Sequence, residues 1–267
     1  MKVFIFMAGS LLLQTAQAQI FNSSVAAATG GSGRAAVEPG DTVFLNPATL
    51  VHLRDRYFFT SFANDEFAVL LSDSTKESLV PAGLSYVQKK SDVQQGELVL
   101  QDISMSLAEF AMNQVAMGLT GHYYQYKIEG GASHIQSNVD IGFMYTPMPD
   151  LGLAVVGYNL FGEDKDIPEN YRLKRSVGAG INYVYQSLAR FRLDATTESV
   201  WMAGFESYVN KFIVVRLGYS HDTDDNRELL TAGAGFKGPR FAINYGYQGN
   251  SQNSGDYRHS VDLEIPF

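Results

Sequence analysis

The sequence contains no cysteine. That excludes a disulfide framework, thiolate chemistry and a lipid-modified amino-terminal cysteine. Basic residues are scarce, 20 Lys and Arg against 28 Asp and Glu, for a net charge of −8. Such a chain lacks the basic footprint of a nucleic-acid partner. Beyond the amino-terminus no window reaches the roughly 18 uninterrupted apolar residues of a spanning helix. A mean hydropathy near zero does not exclude a membrane barrel, whose lumen-facing half is polar. Only one Trp stands beside 15 Tyr, 17 Phe and 25 Gly, a balance that suits a β-rich chain with aromatic belts.

The five histidines, at positions 52, 122, 134, 221 and 259, show no metal-ligand spacing with one another or with an acid. His259 and Ser260 are adjacent in a predicted strand and point to opposite faces, so they are no nucleophile–base pair. The acidic run Asp222–Glu228 lacks the glycine and the twelve-residue spacing of a calcium loop. Gly31-x-Gly33-x-x-Ala36 has neither a preceding apolar strand nor a following crossover, so it is not a dinucleotide loop. The reading is of a protein that is not an enzyme and has no cofactor or metal.

What is present begins with a secretory signal. Met1-Lys2 is basic, Val3 to Leu13 is almost wholly apolar, and Ala16-Gln17-Ala18 supplies small residues for cleavage. Residues 1–18 are read as this signal, with Gln19 opening a mature chain of 249 of the 267 residues and a charge of about −9 once Lys2 is lost.

The last eleven residues set the architecture. Tyr257, His259, Val261, Leu263, Ile265 and Phe267 share one parity, and Arg258, Ser260, Asp262, Glu264 and Pro266 the other. Successive strand side chains alternate between faces, so this segment has a mostly apolar face and a charged one. About ten such residues cross a bilayer at a tilt. From Tyr57 onward the pattern recurs, predicting strands at 57–63, 66–73, 80–89, 97–110, 114–127, 135–146, 151–160, 173–185, 190–198, 201–209, 212–221, 229–237, 240–248 and 257–267. Fourteen is an even number, as a single-chain bacterial barrel requires.

A soluble sandwich alternates too, so the connections must decide. Gln88–Gly96, Glu129–His134, Gly162–Arg172, Asp222–Glu228 and Gly249–Asp256 read as long and polar, and the intervening turns as short. Long external loops alternating with short periplasmic turns are a membrane-barrel habit. The expected fold is therefore all-β, a transmembrane antiparallel barrel of about 14 strands spanning 57–267, with residues 19–56 as an amino-terminal plug in the lumen.

That plug segment does not alternate. It is rich in small residues, and Asn46-Pro47 signals a turn or helix start. Strand parity sends His122, Asp140, Arg190, Arg192, Asp194, Arg216, Arg258, Asp262 and Glu264 into the lumen, where buried charges need partners. Their mixed signs are unlike the single-sign ring of a selective pore. Structural pairing with one another and with the plug, through Arg34 and Asp41, is the expectation.

The stretch Thr29-Gly-Gly-Ser-Gly-Arg34-Ala-Ala-Val, followed by Asp41 and Asn46-Pro47-Ala48-Thr49-Leu50, resembles the opening of the outer-membrane long-chain fatty-acid transporter (FadL-like) superfamily. It is most similar to the PorV/PorQ-like branch, whose members begin with a "GGAGRA" run and an "NPA-x-L" motif. The resemblance implies a fourteen-stranded barrel in the bacterial outer membrane, occluded by its amino-terminal segment, with Phe267 as the carboxy-terminal signal for the barrel-assembly machinery. Gly30, Gly31, Gly33, Arg34, Asp41, Asn46 and Pro47 become the expected plug and gate residues. Two roles follow as expectations. One is a plugged barrel that passes or holds a small hydrophobic ligand. The other is a non-transporting component of an envelope complex for secretion, adhesion or gliding, with periplasmic or surface protein partners. An open diffusion porin fits less well with a filled lumen.

Overall fold

The computed structural model describes residues 20–93, 96–128, 131, 133–162, 167 and 172–267. The expected signal at 1–18 lies outside them. Fourteen antiparallel strands form a closed barrel in simple sequence order. They are β1 (Arg56–Ala63), β2 (Glu66–Asp73), β3 (Ala82–Val93), β4 (Gly96–Met112), β5 (Val115–Ile128), β6 (Ser133–Met148) and β7 (Leu151–Tyr158). The remaining seven are β8 (Ser176–Tyr185), β9 (Ala189–Thr196), β10 (Val200–Tyr208), β11 (Ile213–Asp222), β12 (Arg227–Lys237), β13 (Ala242–Asn250) and β14 (Tyr257–Pro266). The ring is closed by β1 on β14, from Tyr57 opposite Pro266 to Ala63 opposite Ser260. Closure leaves no edge strand with unpaired backbone, the condition for β-structure in hydrocarbon.

The parity read from sequence is the parity of the wall. On β14, Tyr257, His259 and Val261 are exposed on the outside, while Ser260, Asp262 and Glu264 are buried in the lumen. On β13, Ile243, Tyr245 and Tyr247 face out, and Ala242 and Asn244 face in. The outer surface carries Leu84, Met105, Leu119, Phe143, Ile181, Leu193, Leu217 and Val261, each exposed. An apolar band of this kind around a closed barrel is buried only by lipid. Trp201 and Tyr257 stand at one rim, and Phe110, Tyr185 and Phe241 at the other, all exposed, where aromatic rings meet the headgroups. No described helix is long and apolar enough to cross a membrane.

One expectation about the connections is corrected. Gln88–Gly96 is not a long loop, because β3 continues to Val93 and β4 starts at Gly96, with Asp92 paired to Glu97. The polar run Lys89–Asp92 reads as loop, yet this part of the hairpin rises above the lipid. No apolar alternation is required there. Lys90 and Glu97 close the ladder with a 3.0 Å ion pair. On the opposite rim the 74–81 connection is longer than most loops of the expected long set. The 159–175 connection, part of which lies outside the described residues, is the longest between described strands. Predicted loops Glu129–His134 and Gly162–Arg172 also fall partly outside them.

Residues 20–55 run through the lumen. A single helical turn, α1 (Ser24–Ala28), is capped by the Ser23 hydroxyl, which accepts from Ala26 N–H at 3.1 Å. A 3₁₀ turn, η1 (Pro47–His52), starts where Asn46 accepts from Ala48 N–H at 3.0 Å. Pro47 suits that first position because its missing N–H would be unbonded anyway. The α1 turn lies on β11–β14 and η1 on β4–β6, so the segment stretches across the barrel interior.

Candidate functional site: a plugged and divided lumen

The wall makes room for the plug with glycine. Gly118 and Gly142 are opposite each other on β5 and β6. A Cβ on Gly118 would collide with the Pro47 carbonyl carbon, and one on Gly142 with the Asn46 side chain. Gly204 faces Ser32 and Thr29, with an added Cβ only 2.6 Å from each. On the plug itself, Gly30 and Gly31 have φ of +73° and +83°, a region that side-chain-bearing residues rarely adopt. Together these positions let two backbones approach more closely than side chains permit.

Polar anchors then fix the plug. Asp194 on β9 accepts from the backbone N–H groups of Gly33 and Arg34, both at 2.9 Å, and from Arg34 Nη1 at 3.0 Å. Arg34 also stacks 5.5 Å above the Tyr158 ring, whose hydroxyl donates to the Leu45 carbonyl at 2.6 Å. Asp262 accepts from Ser24 N–H and hydroxyl at 2.6 and 2.7 Å. Arg258 donates to the Asn22 carbonyl at 2.9 Å. Asn46 Nδ2 donates to the Arg34 carbonyl at 2.8 Å, joining the two motif halves.

A second group lies nearer the short-turn rim. Glu38 accepts from Arg190 and, at 2.8 Å, from Arg192. Glu206 accepts from Arg216 Nε at 2.6 Å, and Arg216 Nη1 donates to Asn244 at 3.0 Å. Asn244 in turn donates to Glu264 at 3.1 Å. Burial pushes the Glu38 carboxyl up, but Lys237, Arg190 and Arg192 outweigh it and hold the group well below the usual range. For Asp41 burial wins. It pushes the carboxyl up to about 7, with a Ser23 hydrogen bond opposing and the Glu38 charge adding.

His122 is held between two acids, its Nδ1 2.9 Å from Asp102 and its Nε2 3.2 Å from Asp140. Asp140 also accepts from the Asn159 N–H at 2.7 Å. The structure therefore places all of the nominated lumen residues inside the barrel, with only His122 and Asp140 in direct mutual contact. Asp194, Arg192 and Asp262 touch the plug instead. Phe267 lies at the end of β14, its N–H bonded to the Arg56 carbonyl at 3.0 Å.

Sequence reasoning missed Glu38, Glu66, Asp102 and Glu206. For Glu206 a signal existed, since the turn after β10 sets it directly opposite Arg216. Asp102 shares parity with Ser104 and Ser106, an inward polar row. Glu38 gave none, because nothing in an irregular segment says where an acid points. Asp41, the acid nominated in its place, forms no ion pair among the described residues.

The lumen is chemically divided. Along β1–β3, Phe59, Leu70 and Val87 pack with Phe21, Val43 and Phe44 of the plug. Towards the long-loop rim, Leu98, Leu100, Tyr124 and Tyr126 of β4–β5 pack with Ile167 and Leu173. Ile20 touches both clusters. Towards the other rim, Leu50, Leu53 and Ala108 continue the apolar side. The charged anchors of the plug occupy mainly the β9–β14 side, while the Asp102–His122–Asp140 group sits on β4–β6 beside Phe21, Phe44 and Tyr124. At the long-loop rim of that side lies a cavity of about 200 Å³, floored by Gly30, Gly31 and Met202.

No protein-family model matches the chain, and no curated protein sequence matches it. Solved structures do. The Ralstonia pickettii toluene transporter TbuX superposes with a TM-score of 0.72 at 12% identity, covering 96% of this chain and 99% of TbuX. The CymD monoaromatic hydrocarbon channel gives 0.71 at 11% identity, with 92% and 97% covered. The Pseudomonas putida toluene transporter TodX gives 0.67 at 10% identity, with 91% and 96% covered. This chain is similar to them in fold. At such identities the likeness is one of fold alone.

Proposed function

We propose that the protein is a bacterial outer-membrane barrel that passes or holds a small hydrophobic ligand, with residues 20–55 as the gate. One observation carries this reading: the apolar side of a divided lumen. Leu98, Leu100, Tyr124 and Tyr126 begin it at one rim, Phe21, Phe44 and Phe59 continue it, and Leu50 and Leu53 bring it to the other. A lumen that only needed filling has no reason to sort its apolar contacts to one side. A hydrocarbon following that side meets mostly apolar surface, interrupted by the Asp102–His122–Asp140 group, and avoids the larger desolvation cost of the β9–β14 ionic side. The fold likeness to transporters named for toluene and monoaromatic hydrocarbons supports the ligand class. The exposed apolar band supports lipid as the surroundings.

The test is uptake of toluene and related compounds in a deletion strain and its complemented counterpart. Slower uptake, restored by wild type but not by a Leu100→Arg variant present at equal level in the outer membrane, is the expected result. Equal uptake across the panel overturns the reading.

The ionic anchors favour a second reading, a barrel that never opens and serves as a PorV-like component of an envelope complex. That role predicts stable co-purification with periplasmic or surface proteins in mild detergent, together with normal hydrocarbon uptake.

A further inference from the structure

The cavity above the Gly30–Gly31 turn does not match an uncharged hydrocarbon. On its β2–β3–β14 wall, Lys89 Nζ lies 3.0 Å and Arg258 Nη2 2.8 Å from the same Glu66 carboxylate. Two cations share one acid, so this wall carries a net positive charge. Glu66 and Arg258 are mostly buried, with side-chain exposures of 11% and 17%, and Arg258 Nη1 is buried without a hydrogen-bond partner. A buried guanidinium N–H without an acceptor is costly, and an incoming anion relieves that cost. The other charged pair at the cavity, Arg227 with Asp256, is bidentate at 2.8 and 2.9 Å and neutral overall. Arg34, paired with Asp194, and Glu198 complete the charged lining, and the apolar walls include Ile20, Val200, Met202 and Leu229.

We propose that this cavity binds a small carboxylate with a compact apolar body, of the size of benzoate, its carboxylate received by Arg258 and Lys89. The volume of about 200 Å³ accommodates a single ring or a short branched chain. Arg258 also donates to the Asn22 carbonyl, at the start of the plug. An anion drawing that guanidinium outward loosens one anchor of the gate, so binding and gating share a residue. This deepens the transport reading and rests on it, by naming an acid as a ligand of the same lumen.

Calorimetric titration of the purified barrel in detergent at low salt, with sodium benzoate, acetate and benzyl alcohol as probes, tests it. The expected order is benzoate tightest, with benzyl alcohol at least about tenfold weaker for want of charge and acetate for want of an apolar body. Lys89→Met weakens benzoate about tenfold, whereas Glu66→Gln, which frees both cations, tightens it several-fold. A merely structural role for Glu66 gives the opposite sign. Should Arg258→Gln fail to fold, these two variants still decide the matter. Benzyl alcohol binding as well as benzoate, or benzoate indifferent to Lys89→Met and Glu66→Gln, overturns the inference. Hydrocarbon uptake that persists without benzoate binding sinks this inference alone, and loss of both sinks the transport reading with it.

Discussion

Arg34 offers Asp194 both its backbone N–H and its guanidinium, at 2.9 and 3.0 Å, on a single carboxylate oxygen. The strand residue thus holds the plug by main chain and side chain at once. Replacing Asp194 with Ala takes the acid away from the buried Arg34 guanidinium and the acceptor away from two backbone N–H groups. Breaking one member of such a buried pair costs about 3–5 kcal/mol. Asp194→Ala is expected to lower the thermal midpoint in detergent and to raise amide hydrogen exchange at residues 30–36, while strand exchange stays slow.

Glu206 sits between arginines of two neighbouring strands, opposite Arg216 on β11 and Arg190 on β9. Glu206→Gln removes an acid on which Arg190, Arg192 and Arg216 converge within 3.7 Å. The single substitution is expected to destabilise by about 3–5 kcal/mol. Glu206→Gln with Arg216→Met is expected to cost less than the sum of the two single changes, because removing both partners strands less buried charge. Denaturant titrations of the four proteins measure the coupling.

Gly142 faces the Asn46 side chain where the plug turns into η1. A methyl group there has no space, and overpacking typically costs about 1–3 kcal/mol. Gly142→Ala is therefore expected to loosen η1 and raise proteolysis within residues 40–55. Gly121→Ala serves as control, because a methyl group added at that position meets nothing within 4 Å.

The Asp41 carboxyl, pushed up to about 7 by burial, binds its proton more tightly in the folded state than in the unfolded chain. Its contribution to stability is full below the ordinary aspartate range and is lost as pH rises towards and through 7. Glu38, held low, runs the other way and matters only in acid. Between pH 5 and pH 8 the thermal midpoint is expected to fall by several degrees, where about 1 kcal/mol moves a barrel of this size by roughly 2–4 °C. Asp41→Asn is expected to reduce that slope.

Much of the wall was legible because a two-residue period carries it. Val177 to Tyr183 and Phe241 to Tyr247 alternate apolar or aromatic outward side chains with small or polar inward ones, and each became an outward row. Strand ends were less legible where lipid no longer imposes alternation, as at Lys89–Asp92. The site was legible on its wall side and obscure on its plug side. Arg192, Asp194 and Arg216 follow from parity, but whether they meet Glu38 or Asp41 depends on the path of a segment with no period. Pairing across neighbouring strands, as of Glu206 with Arg216, lay within reach of register counting through the short turn.

Residues 20–55 lie across the lumen with Gly33 and Arg34 bonded to Asp194, and on the proposed reading that contact keeps the barrel shut. Planar-bilayer recording of the purified protein tests this most directly. Wild type is expected to stay electrically silent, and Asp194→Ala to show discrete openings as the freed plug moves. Steady ohmic steps from the wild-type protein, unchanged by Asp194→Ala, would contradict it.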